Sequence, residues 1–277
     1  MVLSINTNAG AMAALRNLTT STTELERTQL RVTTGFKVNG PKDDASTFAI
    51  ANNLRGDISG TEAVKGALAA GESTVNVAIE VGKAVADLLI EMKAKTVQAN
   101  QAGLDAASRT ALHNDFTALR DQLTTIVASA EFNSVNLIKS GATNLAVLST
   151  ADGSTITITI TITITAQAMD TATLAVSASD LTTSASAGAA LSAIDSAITS
   201  VSDKLAALGS SAKRIEVQSQ FTSQLVDILK EGVGNLIDAN LAEESATLQA
   251  LQIKQQLGVQ ALSIANASPQ SILALFQ

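Results

Sequence analysis

The 277-residue sequence has no cysteine, no tryptophan, no tyrosine, one histidine and two prolines, Pro41 and Pro269. Without cysteine there is no disulfide and no thiolate metal site. The redox compartment stays open, because an exported protein can also dispense with bridges. Aromatic residues make up 2% of the chain although hydrophobic residues make up 46%. The apolar surface is therefore Ala, Leu, Ile and Val, which suits helix-on-helix packing better than an aromatic-lined ligand pocket. So few prolines leave very long helices uninterrupted. Acidic residues outnumber basic ones, 25 against 18, and the net charge of −7 argues against nucleic acid and against an anionic membrane as partner. No run of about 18 apolar residues is present for membrane insertion. The start, "MVLSINTNAGAMAALRNL", lacks the basic segment and continuous apolar core of a secretory signal, so any export keeps the N-terminus.

A catalytic constellation is also missing. His113, in "RTALHNDF", is flanked by polar residues on a helical stretch and is expected at a solvated or rim position. Asp43–Asp44 and Glu243–Glu244 are adjacent pairs, which point in different directions on a helix and cannot share a metal unaided. The first pair fits helix-terminus electrostatics and the second a solvated face. No glycine-rich phosphate loop follows a strand. Neither enzymatic activity nor a cofactor or metal is expected.

What is present falls into three blocks. Up to about Lys139 the pattern is helical; from about Ser140 to Ala187 it is Ser/Thr-rich with strand signals; from about Gly188 to the end it is helical again. The fold class expected is mainly α, an elongated antiparallel coiled-coil bundle of long helices with a small β-hairpin region inserted in the middle. In the third block Leu191, Ile198, Leu205, Ala212, Ser219, Val226 and Val233 recur every seven residues. Ile194, Val201, Leu208, Ile215, Thr222, Leu229 and Leu236 follow them at an offset of three. Only Ser219 and Thr222 are polar, so the seam of a coiled coil is nearly unbroken over a rod of roughly 70 Å. A partner seam runs through Leu68, Val75, Gly82 and Leu89, accompanied by Val64, Gly71, Ala78 and Val85. Its glycines and alanine would let a facing helix approach closely. A third run, Leu112, Phe116, Leu119, Leu123 and Ile126, follows a turn at "NQAGLD". Taken alone, this periodicity fits a soluble coiled coil of any purpose.

Between the helical blocks stands "TITITITITIT", Thr155 to Thr165, with isoleucines on one face and threonines on the other. A strand with so poorly fixed a register must lay its isoleucine face on the bundle. "TADGS" supplies a turn and "NLAVLST" the opposing strand. The outward threonines could accept sugars or touch a neighbour, but a hairpin that simply caps the bundle is favoured.

At the N-terminus Leu18, Leu25 and Val32 are spaced by seven, with Leu15 and Met12 nearby, so Leu3 to about Thr34 forms a helix with one apolar stripe. The C-terminal helix places Leu241, Leu248, Leu251, Val259 and Leu262 on one side and Ile253, Leu257 and Ile264 on the other. A surface helix needs one apolar face. Two opposed faces call for one partner inside the chain and one outside it. Joints are expected at "NGPKDD", where Gly40 turns and Pro41 takes the first helical position, and at "KEGVGN", through Gly232 and Gly234. Pro269 is expected to interrupt the last helix before Ile272 to Phe276.

"INTNAGAMAALRNL", "TGFKVNGPKDDASTFAIANNLRGDISG", "AEFNSVNLI" and "NLIDANLAEESATLQALQIKQQLGVQALSIANASPQSILALF" together resemble bacterial flagellin, most of all the short alphaproteobacterial ones. The resemblance covers about residues 3–139 and 205–277. It implies a structural subunit, exported unfolded and polymerised into the helical, extracellular flagellar filament used for swimming. It further implies an inner coiled-coil domain, 1–40 with 238–277, lining the filament channel, and a wall domain, 41–237, holding the variable hairpin region at about 140–187. No large outer domains are implied. Leu273 and Phe276 join the inner packing set on this reading. The implied partners are other flagellin subunits, the export apparatus and an export chaperone, and the filament cap and hook-junction proteins, with no nucleic acid and no membrane insertion. A junction protein or an exported coiled-coil adhesin that does not polymerise is the competing reading. Two departures stand out: Pro41 replaces the usual alanine and should stiffen the joint, and the chain ends in Gln277 where flagellins commonly end in arginine.

Overall fold

The structure, a computed structural model, describes the backbone of residues 7–151 and 159–273 and the side chains of residues 7–148 and 162–267. The elements in chain order are α1 (Ala9–Thr34), α2 (Ala45–Ala99), α3 (Ala106–Ser129), β1 (Leu145–Ala151), β2 (Thr159–Ile164), α4 (Ser184–Ile237) and α5 (Leu241–Leu273). The mainly α expectation, with a small hairpin between long helices, is met. The chain divides into two compact units, Met1–Gly56 with Ile228–Gln277, and Asp57–Asp227. Parts of α2 and α4 therefore belong to each.

Local chemistry fixes where the helices begin. Asn8 caps α1 by accepting the Ala11 N–H at 2.9 Å, and Asp105 caps α3 by accepting the Ser108 N–H at 2.9 Å. Asp44 accepts from the N–H groups of Ser46 and Thr47 and from the Thr47 hydroxyl, so α2 starts at Ala45. Pro41 consequently lies in the turn ahead of the helix and not at its first position. The Asp43 N–H closes that turn onto the Gly40 carbonyl at 3.0 Å. These hydrogen bonds stabilise the ionised carboxylates: Thr47 holds Asp44 below the ordinary aspartate range, and Ser108 does the same for Asp105.

The middle unit is built around the seams read from the sequence. Leu68, Val75 and Leu89 of α2 are fully buried, as are Ile194, Val201, Leu208 and Ile215 of α4. Leu191, Ile198 and Leu205 are only half-buried, whereas Ala187, Ala190 and Ala197 are buried. The buried face of α4 is thus rotated toward its alanines. It meets α2 together with Met169, Leu174, Val176 and Leu181 from the connector after β2, which share the same core. A face shared by several neighbours is wider than a two-helix seam, and small residues at its centre let them close in.

Gly82 and Gly71 of α2 respectively meet and correct the close-approach expectation. A Cβ on Gly82 would stand 2.7 Å from Leu205 Cδ2, so here a facing helix does come close. A Cβ on Gly71 would stand 2.5 Å from Val147 Cγ2, so the space there is taken by strand β1 and not by a helix.

β1 and β2 pair antiparallel, from Leu145 opposite Ile164 to Ala151 opposite Thr159, with an irregularity between Leu148 and Thr150. Val147, Ile162 and Ile164 are buried in the unit's core, which seats the isoleucine face on the helices. The "TADGS" turn beyond Ala151, and Ile156 and Ile158, lie outside the described residues, as do the side chains of Ile160 and Leu273 and the whole of Phe276. Asn136 explains the turn in "AEFNSVNLI". Its amide donates to the Val127 carbonyl at 2.8 Å and accepts from the Ile138 and Lys139 N–H groups at 2.9 Å. That satisfies the backbone while Leu137 and Ile138 are fully buried.

Candidate interaction surface

Helices α1 and α5 pack antiparallel in the terminal unit. The covered positions of α1 include Ala11, Ala14, Leu18, Ser21, Leu25, Thr28 and Val32; those of α5 include Glu244, Leu248, Leu251, Gln255, Gly258, Leu262 and Ala265. Both series alternate steps of three and four, which is a coiled-coil seam. Its polar contacts run from end to end. Asn8 Nδ2 donates to the Ala265 carbonyl at 2.7 Å. Gln255 Nε2 donates to Thr22 Oγ1 at 3.5 Å, and Arg31 Nη1 bonds Glu244 Oε1 at 2.9 Å. Between them Leu18 fills the space over Gly258, where an added Cβ would lie 3.1 Å from Leu18 Cδ1.

Six of the expected packing residues fall on this seam: Leu18, Leu25, Val32, Leu248, Leu251 and Leu262. Three do not. Leu15, Leu241 and Val259 are 52%, 50% and 54% exposed. At 3.6 residues per turn, Leu241 and Val259 sit about 80° around the helix from Leu251, outside the strip that α1 covers. Gln255 and Gly258 occupy that strip instead. Neither is apolar, so a count of hydrophobic positions passes over both.

The opposite side of α5 carries Ile253, Leu257 and Ile264, exposed at 58%, 58% and 72%. Exposed Ala246 and Ala250 continue the same spacing toward the N-terminal end of the helix. α1 adds Met12 and Leu30, 49% and 45% exposed. Burying one such aliphatic side chain is worth about 1.5–3 kcal/mol. A row of them left in water marks a surface built for a partner. Pro269 does not end α5, which continues to Leu273.

The link between α1 and α2 is pinned to the link between α4 and α5. Phe36 and Asp238 form an antiparallel bridge. The Lys37 N–H donates to the Ile237 carbonyl at 2.6 Å and the Ala239 N–H to the Gly35 carbonyl at 2.8 Å. Gly35 takes φ of +75°, the left-handed turn that ends α1. The Arg55 guanidinium lies 5.6 Å over the Phe36 ring and Arg27 pairs with Asp43 at 3.1 Å. Gly232 and Gly234 are inside α4, so the chain breaks at Asp238–Asn240 and not at those glycines. Glycine permits a break without forcing one. A Cβ on Gly234 would stand 2.8 Å from Asp238 Oδ2, so the missing side chain makes room for the aspartate that closes the helix. An open cleft of about 400 Å³ beside it is lined by polar groups such as Lys230, Glu231 and Asp238.

Catalytic geometry does not assemble around the groups singled out above. His113 is at the rim, its side chain 27% exposed, with Nδ1 accepting the Leu181 N–H at 3.3 Å and lying 3.4 Å from Asp180 Oδ1. Among the described residues no group of three or more His, Cys, Asp or Glu side chains could hold a metal ion. Among them, too, no helix is long and apolar enough to cross a membrane.

Comparison with known proteins bears on what this surface serves. The family model described as the bacterial flagellin N-terminal helical region matches residues 5–143, and the one described as the bacterial flagellin C-terminal helical region matches residues 191–276. Flagellin FljM of Caulobacter vibrioides is 44% identical over 274 residues, covering 99% of this chain and 98% of the relative. The flagellin of Brucella melitensis is 34% identical over 285 residues, covering 99% of each. Among solved structures, a putative flagellar hook-associated protein from Vibrio parahaemolyticus shares the fold, with a TM-score of 0.57 at 14% identity over 71% of this chain and all of that one. Matched by family models at both helical ends and by relatives along its full length, the chain belongs to the bacterial flagellin family.

Proposed function

We propose that the chain is a structural subunit that polymerises with copies of itself into a flagellar filament outside the cell. The observation that carries this is the second apolar row of α5, Ile253, Leu257 and Ile264, which lies opposite the seam made with α1. The row has helical spacing, so its complement is another helix, and a homopolymer supplies one in every neighbouring copy. On this reading α1 and α5 form the inner domain, about 1–40 with 238–277. Residues 41–237 form the wall, with the variable hairpin region at about 140–187. The chain carries no catalytic role. It leaves the cell unfolded through the flagellar export apparatus, escorted by a chaperone, and adds at a cap beyond the hook junction.

Polymerisation of the purified chain on filament seeds, viewed by electron microscopy, tests this reading. Long filaments are expected from the full chain, and none from a chain lacking residues 241–277 whose middle unit remains helical. A full chain that stays monomeric on seeds, or a truncated chain that still grows filaments, would overturn it.

A further inference from the structure

We propose that the Arg31–Glu244 ion pair sets the register of α1 against α5, an inference that rests on the filament reading for its consequence but not for its test. The apolar seam is ambiguous on its own. In the observed register Leu18 meets Gly258, as the Cβ geometry shows, and Arg31 meets Glu244. Sliding α5 by one heptad would set Leu25 over Gly258 and Leu18 over Ala265, again a large residue over a small one. Repeating leucines and small residues therefore tolerate the slide.

The ion pair does not tolerate it. Arg31 and Glu244 are half-buried in the last turn of α1 and the first turn of α5, with side chains 23% and 14% exposed. Slipping by seven residues sets Arg31 against Leu251 and carries Glu244 past Thr34, the last residue of α1, so the guanidinium is left partly desolvated without its partner, which costs more than a mismatched alkyl contact. The glutamate also sits at the positive end of the α5 dipole, and Arg31 at the negative end of the α1 dipole, so each charge is suited to its place. Buried polar pairs that fix coiled-coil register are the best-attested use of such groups. The pair stands near the Phe36–Asp238 bridge, whose backbone hydrogen bonds carry no side-chain identity. With the register fixed, Ile253, Leu257 and Ile264 are presented at one height in every subunit, as a repeating polymer requires.

The absence of native cysteine gives a clean readout. The ideal Cβ of Gly258 lies 3.7 Å from Leu18 Cβ, within the range of a disulfide. Full-length chain carrying Leu18→Cys with Gly258→Cys reports the observed register; Leu18→Cys with Ala265→Cys reports the slipped one. Each pair is oxidised and mapped by peptide mass spectrometry, in the native background and with Arg31→Met and Glu244→Leu combined. The native background should cross-link only 18 to 258. The apolar double variant should remain as helical by circular dichroism but divide its cross-links between 258 and 265. Retention of the 18–258 cross-link alone in the double variant would overturn the proposal, as would slipped cross-links in the native background. Filament growth is scored separately, so failure to polymerise with normal cross-links counts against the filament reading and not against the register.

Discussion

At the residue scale, two glycines on one helix separate packing from propensity. Gly66 of α2 has nothing within 4 Å of an added Cβ, whereas Gly71 would drive one against the stiff, branched Val147. Gly66→Ala should therefore stabilise by about 0.5–1 kcal/mol through helix propensity. Gly71→Ala should destabilise by about 1–3 kcal/mol through overpacking. Thermal unfolding of the two variants checks both signs; stabilisation by both would mean that β1 does not seat on α2. The capping aspartates give a pH dependence. Asp44 and Asp105 are held below the ordinary aspartate value by hydrogen bonds from Thr47 and Ser108, so their charged forms favour the folded state. That contribution is complete above the ordinary aspartate pKa and is lost as pH falls through the lowered folded values. Melting temperature should therefore fall on acidification below about pH 4, and the fall should be shallower in Asp105→Asn.

At the element scale, helix pairing depends on positions of unequal depth. Among the described side chains of α5, Leu251 is the most deeply buried, at 4% exposure. Leu251→Ala should cost about 2–5 kcal/mol, the range for a buried leucine. Hydrogen exchange should show that loss in α1 and α5 and leave α3 unchanged. Much of this pairing is legible in the sequence, because heptads of Leu, Ile and Val announce a seam without any coordinates. The buried alanines of α4, and Gln255 and Gly258 of α5, are not legible in the same way. Their burial follows from which neighbour comes close, and a small or polar side chain carries no periodic signal of that. The joint at Gly232 and Gly234 was misplaced for a related reason. Glycine content describes what the backbone permits, while α4 runs on through both glycines to Ile237, where the Phe36–Asp238 bridge begins. The connector after β2 hid Met169, Leu174, Val176 and Leu181 among Ser and Thr at irregular spacing, so its place in the core shows only in three dimensions.

At the scale of the whole molecule, the chain makes a stable core and leaves a second apolar surface unused. The middle unit has its own buried core but also leaves Ile90, Val97, Val217 and Phe221 exposed. The terminal unit covers one face of α5 with α1 and leaves the other in water. Opposed faces are readable from the wheel of "LAEESATLQALQIKQQLGVQALSI", although that wheel puts Leu241 and Val259 on the wrong face. The central claim is that this outward row drives subunit addition. Seeded growth of full-length chain carrying Ile253→Gln, Leu257→Gln and Ile264→Gln, followed by light scattering and electron microscopy, tests it most directly. The triple variant should keep its helix content, because none of the three side chains is buried in the chain, and should fail to elongate seeds. Elongation at the rate of the unmodified chain would contradict the account.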